Sequence, residues 1–349
     1  MRIILIFIDK LASHSHIQFI KFVFGDAEVL KRRSVLLGGV ALAASALLPV
    51  PALAAAPLRV VATTGMIADA ARQVGGDLVE VQALMGPGVD PHGYRQTRSD
   101  IVAMTRADLV LRHGLYLEAQ MEDFFAGLAR KRRVVAVAEG LPRDQLRAHD
   151  SYANKFDPHV WMVPRLWKEV VGVVLTALTE AYPDGAETFA QNAAHHMSEL
   201  DRLTDYSKTS LSRVPEPARV LLTAHDAFGY FGAEYGFEVL GIQGISTESE
   251  AGLNRIGAFV DMLVDRQIGA VFVESSVSDR NMRALVEGAA ARGHTVRIGG
   301  ELFSDAMGPD RTYEGTYIGM IDHNVTTIAS ALGADVPLRG MDGNLSVGS

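Results

Sequence analysis

The sequence predicts an α/β protein: two (β/α) lobes with parallel sheets, joined by one long helix, with a candidate metal site in the interlobe cleft. Three observations predict it. Short apolar runs alternate with segments of helical spacing, once from Leu58 to Leu178 and again from Arg219 to Leu332. Between these runs, the stretch 184–214 has no Pro or Gly after Gly185 and is rich in Ala, Glu, Leu and Asp. The tripeptide Asp-Pro-His occurs twice, at Asp90-Pro91-His92 and Asp157-Pro158-His159.

In the first run, Leu58 to Thr63 is a strand that stops at Thr64-Gly65, and Met66 to Val74 has helical spacing. Leu78 to Leu84 is a second strand ending in Met85-Gly86-Pro87-Gly88. Thr97–Arg106 is read as a helix, Asp108–Leu111 as a strand, Leu117–Arg130 as a helix and Arg133–Val137 as a fourth strand. The strands are largely apolar, as expected of a parallel sheet covered on both faces. Pro164 suits the first position of a helix through Leu178. The stretch 184–214, at 1.5 Å per residue, would span roughly 45 Å and act as a strut between lobes. Pro215-Glu216-Pro217 ends it.

The alternation then restarts. Strands are expected at 219–223, 238–242, 270–273 and 294–298, with helices at 227–235, 249–265, 279–292 and 315–332. The tail from Gly340 is read as loose. The expected organisation is a leader and export signal over 1–56, a first lobe over 57–182, a linking helix over 183–214 and a second lobe over 215–349.

Composition narrows the chemistry. The 349 residues have room for two domains with cores of their own, and 48% hydrophobic with 21% charged residues describes a globular chain. There is no cysteine, so disulfides, thiolate zinc, iron–sulfur clusters and thiol nucleophiles are excluded. Any metal must be held by nitrogen and oxygen. Lys31-Arg32-Arg33, the apolar run Val35–Leu48 and the tract Ala52–Ala56 read as a signal peptide cleaved near Ala54, by either the general secretory or the twin-arginine route. Lys and Arg number 33 against 41 Asp and Glu; six of the former and three of the latter fall in 1–54, which leaves −11 on the rest. Such a charge argues against nucleic acid as a partner and draws cations.

In open parallel sheets, ligands bind beyond the carboxyl ends of strands. His92, His159, His225 and Asp305 all follow predicted strand ends, two from each lobe. Three neutral imidazoles and one carboxylate suit Zn²⁺, Mn²⁺ or Fe²⁺ and leave one net positive charge on the ion. Proline stiffens both Asp-Pro-His turns, and Asp90 and Asp157 are placed to orient the histidines beside them. His113 is the spare candidate for lining the site and Glu274 a cleft-lining residue. His195 and His196 are read as solvated, and His149, His294 and His323 as loop, strand-edge and helix residues. A zinc hydrolase using the three histidines, with Asp305 as general base, is the competing chemistry.

The motifs Asp-Pro-His-Gly-Tyr at 90–94, Asp-Pro-His-Val-Trp at 157–161, Thr-Ala-His-Asp-Ala-Phe-Gly-Tyr-Phe at 223–231, Gln-Gly-Ile-Ser-Thr-Glu-Ser-Glu-Ala-Gly at 243–252 and Leu-Phe-Ser-Asp-Ala-Met-Gly at 302–308 carry a resemblance. The chain resembles the zinc/manganese solute-binding proteins of metal ABC importers, the cluster A-I family, over essentially 57–335. The resemblance implies that His92, His159, His225 and Asp305 ligate the metal, that the long helix limits the lobes to small rocking motions, and that the ion is delivered to a membrane permease. It implies a receptor and not an enzyme. Many zinc-dedicated relatives carry a His-rich loop where residues 140–156 here have only His149, and many manganese-dedicated relatives place Glu where this chain has His225. The implied cargo is therefore Zn²⁺ or Mn²⁺. With no lipobox cysteine, the expectation is a periplasmic monomer without a lipid anchor.

Overall fold

The computed structural model describes residues 56–149, 152–248 and 252–346. The leader and its cleavage site lie outside them. Among the described residues no helix is long and apolar enough to cross a membrane.

The first sheet consists of β1 (Leu58–Ala62), β2 (Val79–Ala83), β3 (Leu109–Arg112) and β4 (Arg133–Ala136), all parallel, in the order β2-β1-β3-β4. Every residue of β1 except Arg59 is buried, which is why this strand reads as a continuous apolar run. Between the strands run α1 (Gly65–Gly75), α2 (Arg98–Arg106) and α3 (Glu122–Leu128). Thr64 caps α1, and Thr97 with Asp100 forms a reciprocal capping box on α2. The expected helix 117–130 is only partly one. Leu115 and Tyr116 turn at φ 52° and 69°, a short 3₁₀ turn covers Ala119–Met121, and regular helix starts at Glu122.

Pro164 does start a helix, α4 (Pro164–Ala181), and α5 (Ala186–Ser212) follows after one tight turn. On α5 the buried residues Phe189, Ala193, His196, Leu200, Leu203 and Ser207 recur at alternating steps of four and three. That spacing keeps one seam facing inward along the whole helix. α5 packs on α1 and α4 of the first half and on α9 (Tyr317–Ala331) of the second.

The second half holds β5 (Val220–Thr223), α6 (Gly229–Tyr235), β6 (Glu238–Gly241), α7 (Leu253–Asp265), β7 (Ala270–Glu274), α8 (Arg280–Ala291) and β8 (Arg297–Leu302). β5 pairs with β6 and β7 with β8, both parallel, and β5 lies beside β7. The order 6-5-7-8 thus repeats the 2-1-3-4 plan of the first half.

Three expectations are corrected. β8 starts at Arg297 and runs to Leu302, where a strand over 294–298 was expected. Gly299-Gly300, which reads as a break, instead carries a β-bulge opposite Val271 and Phe272, with Gly300 at φ 153°. The cores are not one per lobe: the principal cluster runs from Val60 and Leu109 through Trp167 and Leu203 to Phe228, Tyr317 and Ile328. A second, smaller core lies around Leu222, Leu263, Val271 and Leu285. Finally, residues 340–346 are not loose. Met341 donates its N–H to Asp322, Ser346 donates to Glu314, and Leu345 is buried.

Candidate metal centre

Both parallel arrays have their topological switch where the second crossover reverses direction, between β1 and β3 and between β5 and β7. The first switch is sealed. Glu118, fully buried, accepts from Thr63 Oγ1 at 2.7 Å and from the backbone N–H groups of His113 and Gly114 at 2.6 and 3.1 Å. The second switch holds His225 and Glu274. The first lobe instead reaches the cleft from beyond β2 and β4, through its two Asp-Pro-His turns.

Those turns share one local geometry. Asp90 Oδ1 accepts the backbone N–H of His92 at 2.8 Å, and Asp157 Oδ1 accepts that of His159 at 3.0 Å. The aspartate closes a tight ring over the rigid proline and fixes where the histidine points. The copies then diverge. Asp157 also takes the His159 ring at Nδ1, 2.7 Å away, whereas the second oxygen of Asp90 meets Thr247 of the second lobe at 2.5 Å. The expectation that both aspartates orient the imidazole rings therefore holds for Asp157 alone.

His225 sits two residues past β5, with its Nδ1 2.5 Å from Glu274 Oε2 and its backbone N–H on Glu274 Oε1 at 2.9 Å. Glu274 is thus the partner of His225 and more than a cleft lining. Asp305 lies three residues past β8, closer to the strand than the expected end at Ile298 implied. Its loop is held across the cleft by Trp161, whose indole donates to the Ser304 carbonyl at 2.7 Å. Tyr317 donates to the Trp161 carbonyl at 2.7 Å and packs its ring on Trp167.

The structure brings all four candidate residues together. One donor atom from each of His92, His159, His225 and Asp305 lies within 4.8 Å of every other, and all four residues are buried. The individual separations are 3.3 Å for His92 Nε2 to His159 Nε2, 3.3 Å for His159 Nε2 to Asp305 Oδ1 and 3.2 Å for His225 Nε2 to Asp305 Oδ2; His92 Nε2 is 4.0 Å from Asp305 Oδ2. Ligands about 2.1 Å from a tetrahedral ion stand about 3.4 Å apart, and three of these four separations are close to that spacing. His225 Nε2 and Asp305 Oδ1 are fully buried and lack an aligned hydrogen bond; each faces only another member of the cluster, Asp305 Oδ2 and His159 Nε2 respectively.

The electrostatics follow from this burial. Burial pushes His92 down to about 3, so it is neutral. Burial lowers His159 as well, but the charges of Asp157 and Asp305 outweigh it and hold the ring up at about 9. His225 is likewise lowered by burial and lifted further, well above its ordinary value, by Asp305 and Glu274. For Asp305 burial acts upward, and the attraction of His225 and His159 holds it well below the usual carboxylate range.

His113 does not join the cluster. It is buried, donates Nε2–H to the Pro158 carbonyl at 2.8 Å and stands edge-on to Trp161, so it props the turn behind His159. Against expectation His196 is buried, close to Asp69, while His195 is exposed. Glu248 bonds Gln120.

Fold and site together define a two-lobed α/β binding protein with an all-nitrogen-and-oxygen centre between its lobes. A family profile described as zinc-uptake complex component A, periplasmic (ZnuA) matches residues 60–331. The chain belongs to this family. It is 48% identical over 275 residues to the manganese-binding lipoprotein MntA of Bacillus subtilis (strain 168), covering 79% of this chain and 90% of that protein. It is 45% identical over 273 residues to the zinc-binding protein TroA of Treponema pallidum (strain Nichols), covering 78% and 88%. The solved structure of periplasmic TroA from Treponema pallidum superposes with a TM-score of 0.76, covering 79% of this chain and 99% of that one. The chain is accordingly a solute-binding receptor of an uptake system and not an enzyme, and the hydrolase alternative gains no support.

Proposed function

We propose that this protein is an extracytoplasmic receptor that binds Zn²⁺ or Mn²⁺ through His92, His159, His225 and Asp305 and hands the ion to the permease of a metal ABC importer. The single observation that carries the reading is the convergence of four buried donors, two from each half of the molecule, at coordination-shell spacing. Three imidazoles and a carboxylate fill four positions, which leaves no open site for the water that a hydrolytic zinc requires. Asp157 and Glu274 receive the other ring nitrogens of His159 and His225, the arrangement that holds ligating imidazoles in one tautomer. Because the ligands come from both halves, a bound ion links the lobes, and the permease can read that linked state.

Both Asp305 oxygens face imidazoles, one toward His159 and one toward His225. A one-oxygen contact completes the tetrahedron zinc favours, and a two-oxygen contact adds the extra position that manganese accepts. The similar relatives are named for both ions.

We further assign residues 57–182 and 215–349 to the two lobes and 183–214 to the linking helix, in keeping with the tight turns that bound α5. The reading includes residues 1–56 as an export leader cleaved near Ala54, and a periplasmic monomer without a lipid anchor. Purification from its native host under non-chelating conditions, followed by elemental analysis, tests the function. One equivalent of zinc or manganese is expected; a metal-free chain that also fails to take up either ion would overturn it.

A further inference from the structure

Of the four clustered side chains only His92 borders the outside. It forms the floor of a cavity of about 60 Å³, walled by Tyr116, Gln120 and His149 from the first lobe and by Ser246 and Glu248 from the second. That volume holds a few waters, or one ion with part of its hydration shell. An ion moving to or from the cluster therefore passes His92 and the 246–248 segment.

Among the described residues this segment makes two side-chain hydrogen bonds to the opposite lobe. Thr247 Oγ1 donates to Asp90 Oδ2 at 2.5 Å, and Gln120 Nε2 donates to Glu248 Oε1 at 2.6 Å. They are not equivalent. The Gln120–Glu248 pair is exposed, where water competes for both groups. The Thr247–Asp90 pair is half-buried, and the carboxylate it reaches holds the His92 backbone N–H with its other oxygen. One carboxylate thus fixes the turn that presents His92 and the outer wall of the cavity above it.

We infer that Thr247 is a positioning residue for His92, acting through Asp90, and that the 246–248 segment latches the exit path of the ion. The inference rests on the receptor reading above. With the latch made, His92 is held against the other three donors under a closed wall. With it broken, the wall can swing away and the His92 turn loses a restraint. The bond forms only once the two lobes have met, so it acts on release more than on capture.

Zinc release from the full chain into excess colorimetric chelator, followed by stopped flow, tests this. The variants are Thr247→Val, Thr247→Ser, Asp90→Ala and the Thr247→Val/Asp90→Ala pair. Losing a half-buried hydrogen bond to a carboxylate should speed release about tenfold in Thr247→Val, with association changed less than about twofold, while Thr247→Ser stays near the parent. The double variant should release no faster than Asp90→Ala alone, because the hydroxyl works only through that carboxylate. Equal release from parent and Thr247→Val, no rescue by serine, or effects that multiply in the double variant each overturn the latch. A parent chain that takes up neither zinc nor manganese overturns the receptor reading, and the latch with it.

Discussion

Glu274 grips His225 twice, accepting the ring Nδ1–H at 2.5 Å with one carboxylate oxygen and the backbone N–H at 2.9 Å with the other. The last residue of β7 therefore decides which way the histidine beyond β5 faces and which of its nitrogens is left for an ion. Both contacts need an acceptor. In Glu274→Gln the amide nitrogen must face one of two N–H groups, so one bond is lost and the ring is no longer held from both sides toward Asp305. Metal affinity should fall about 10- to 100-fold, the cost usual for losing a carboxylate behind a ligating imidazole. Competition against a chelator of known affinity measures it, and unchanged affinity would show that Glu274 does not support the ion.

His225→Ala removes a donor outright. Zinc affinity should drop by at least about a thousandfold, since a three-donor remnant must complete its shell with water. The fold should survive, because His225 lies at the tip of a loop while the principal core runs unbroken from β1 to α9 beneath it. Titration calorimetry on parent and variant checks the first statement and near-ultraviolet dichroism the second. Equal affinities would take His225 out of the site.

The chain end is more than a trailing segment. Leu345 is 3% exposed, and the N–H of Met341 lies 3.0 Å from both oxygens of the Asp322 carboxylate on α9. Truncation after Arg339 removes a buried leucine and one of the hydrogen bonds to a buried carboxylate, together costing about 2–4 kcal/mol. For a molecule of this size that lowers Tm by about 5–10 °C in the metal-free protein. A truncated chain melting with the parent would mean that the contacts of residues 340–346 contribute nothing to stability.

What the sequence made legible follows its local physics. Short, nearly continuous apolar runs, proline-stiffened turns and strand ends are all encoded within a few residues, and these suffice to bring His92, His159, His225 and Asp305 into one candidate group. The partners were harder. Glu274 meets His225 because β5 lies beside β7, and one sequence does not say which strands are neighbours. Thr247 meets Asp90 for the same long-range reason. The end of β8 lies beyond the expected Ile298 because Gly299-Gly300, which has the composition of a break, accommodates a bulge against Phe272. The burial of His196 does have a local signal, since it falls on the four-three seam of α5 between Ala193 and Leu200.

The charge arrangement predicts how pH governs the site. In the metal-free protein His159 titrates at about 9 and His225 is raised well above its ordinary value, in both cases because neighbouring carboxylates outweigh the effect of burial. Both imidazoles are therefore protonated at neutral pH, while Asp305 is already ionised and His92 already neutral. A metal ion needs the neutral rings, so binding must expel their protons. Between one and two protons should leave per ion near pH 7.5 (about one for each raised histidine), and calorimetry in buffers of different ionisation enthalpy counts them. Affinity should climb with pH through about 9, where His159 loses its proton unaided. Stability of the metal-free protein runs the other way. A histidine raised in the folded state contributes fully below the unfolded value of about 6.5, and that contribution is lost as pH rises through the folded value. Tm of the metal-free protein should thus fall as pH rises above about 6.5, with the His159 share lost as pH passes about 9, while the metal-loaded protein gains over the same range. Binding enthalpies independent of the buffer would mean that the imidazoles are neutral before the ion arrives, and that the three carboxylates Asp157, Glu274 and Asp305 do not set the charge of the centre.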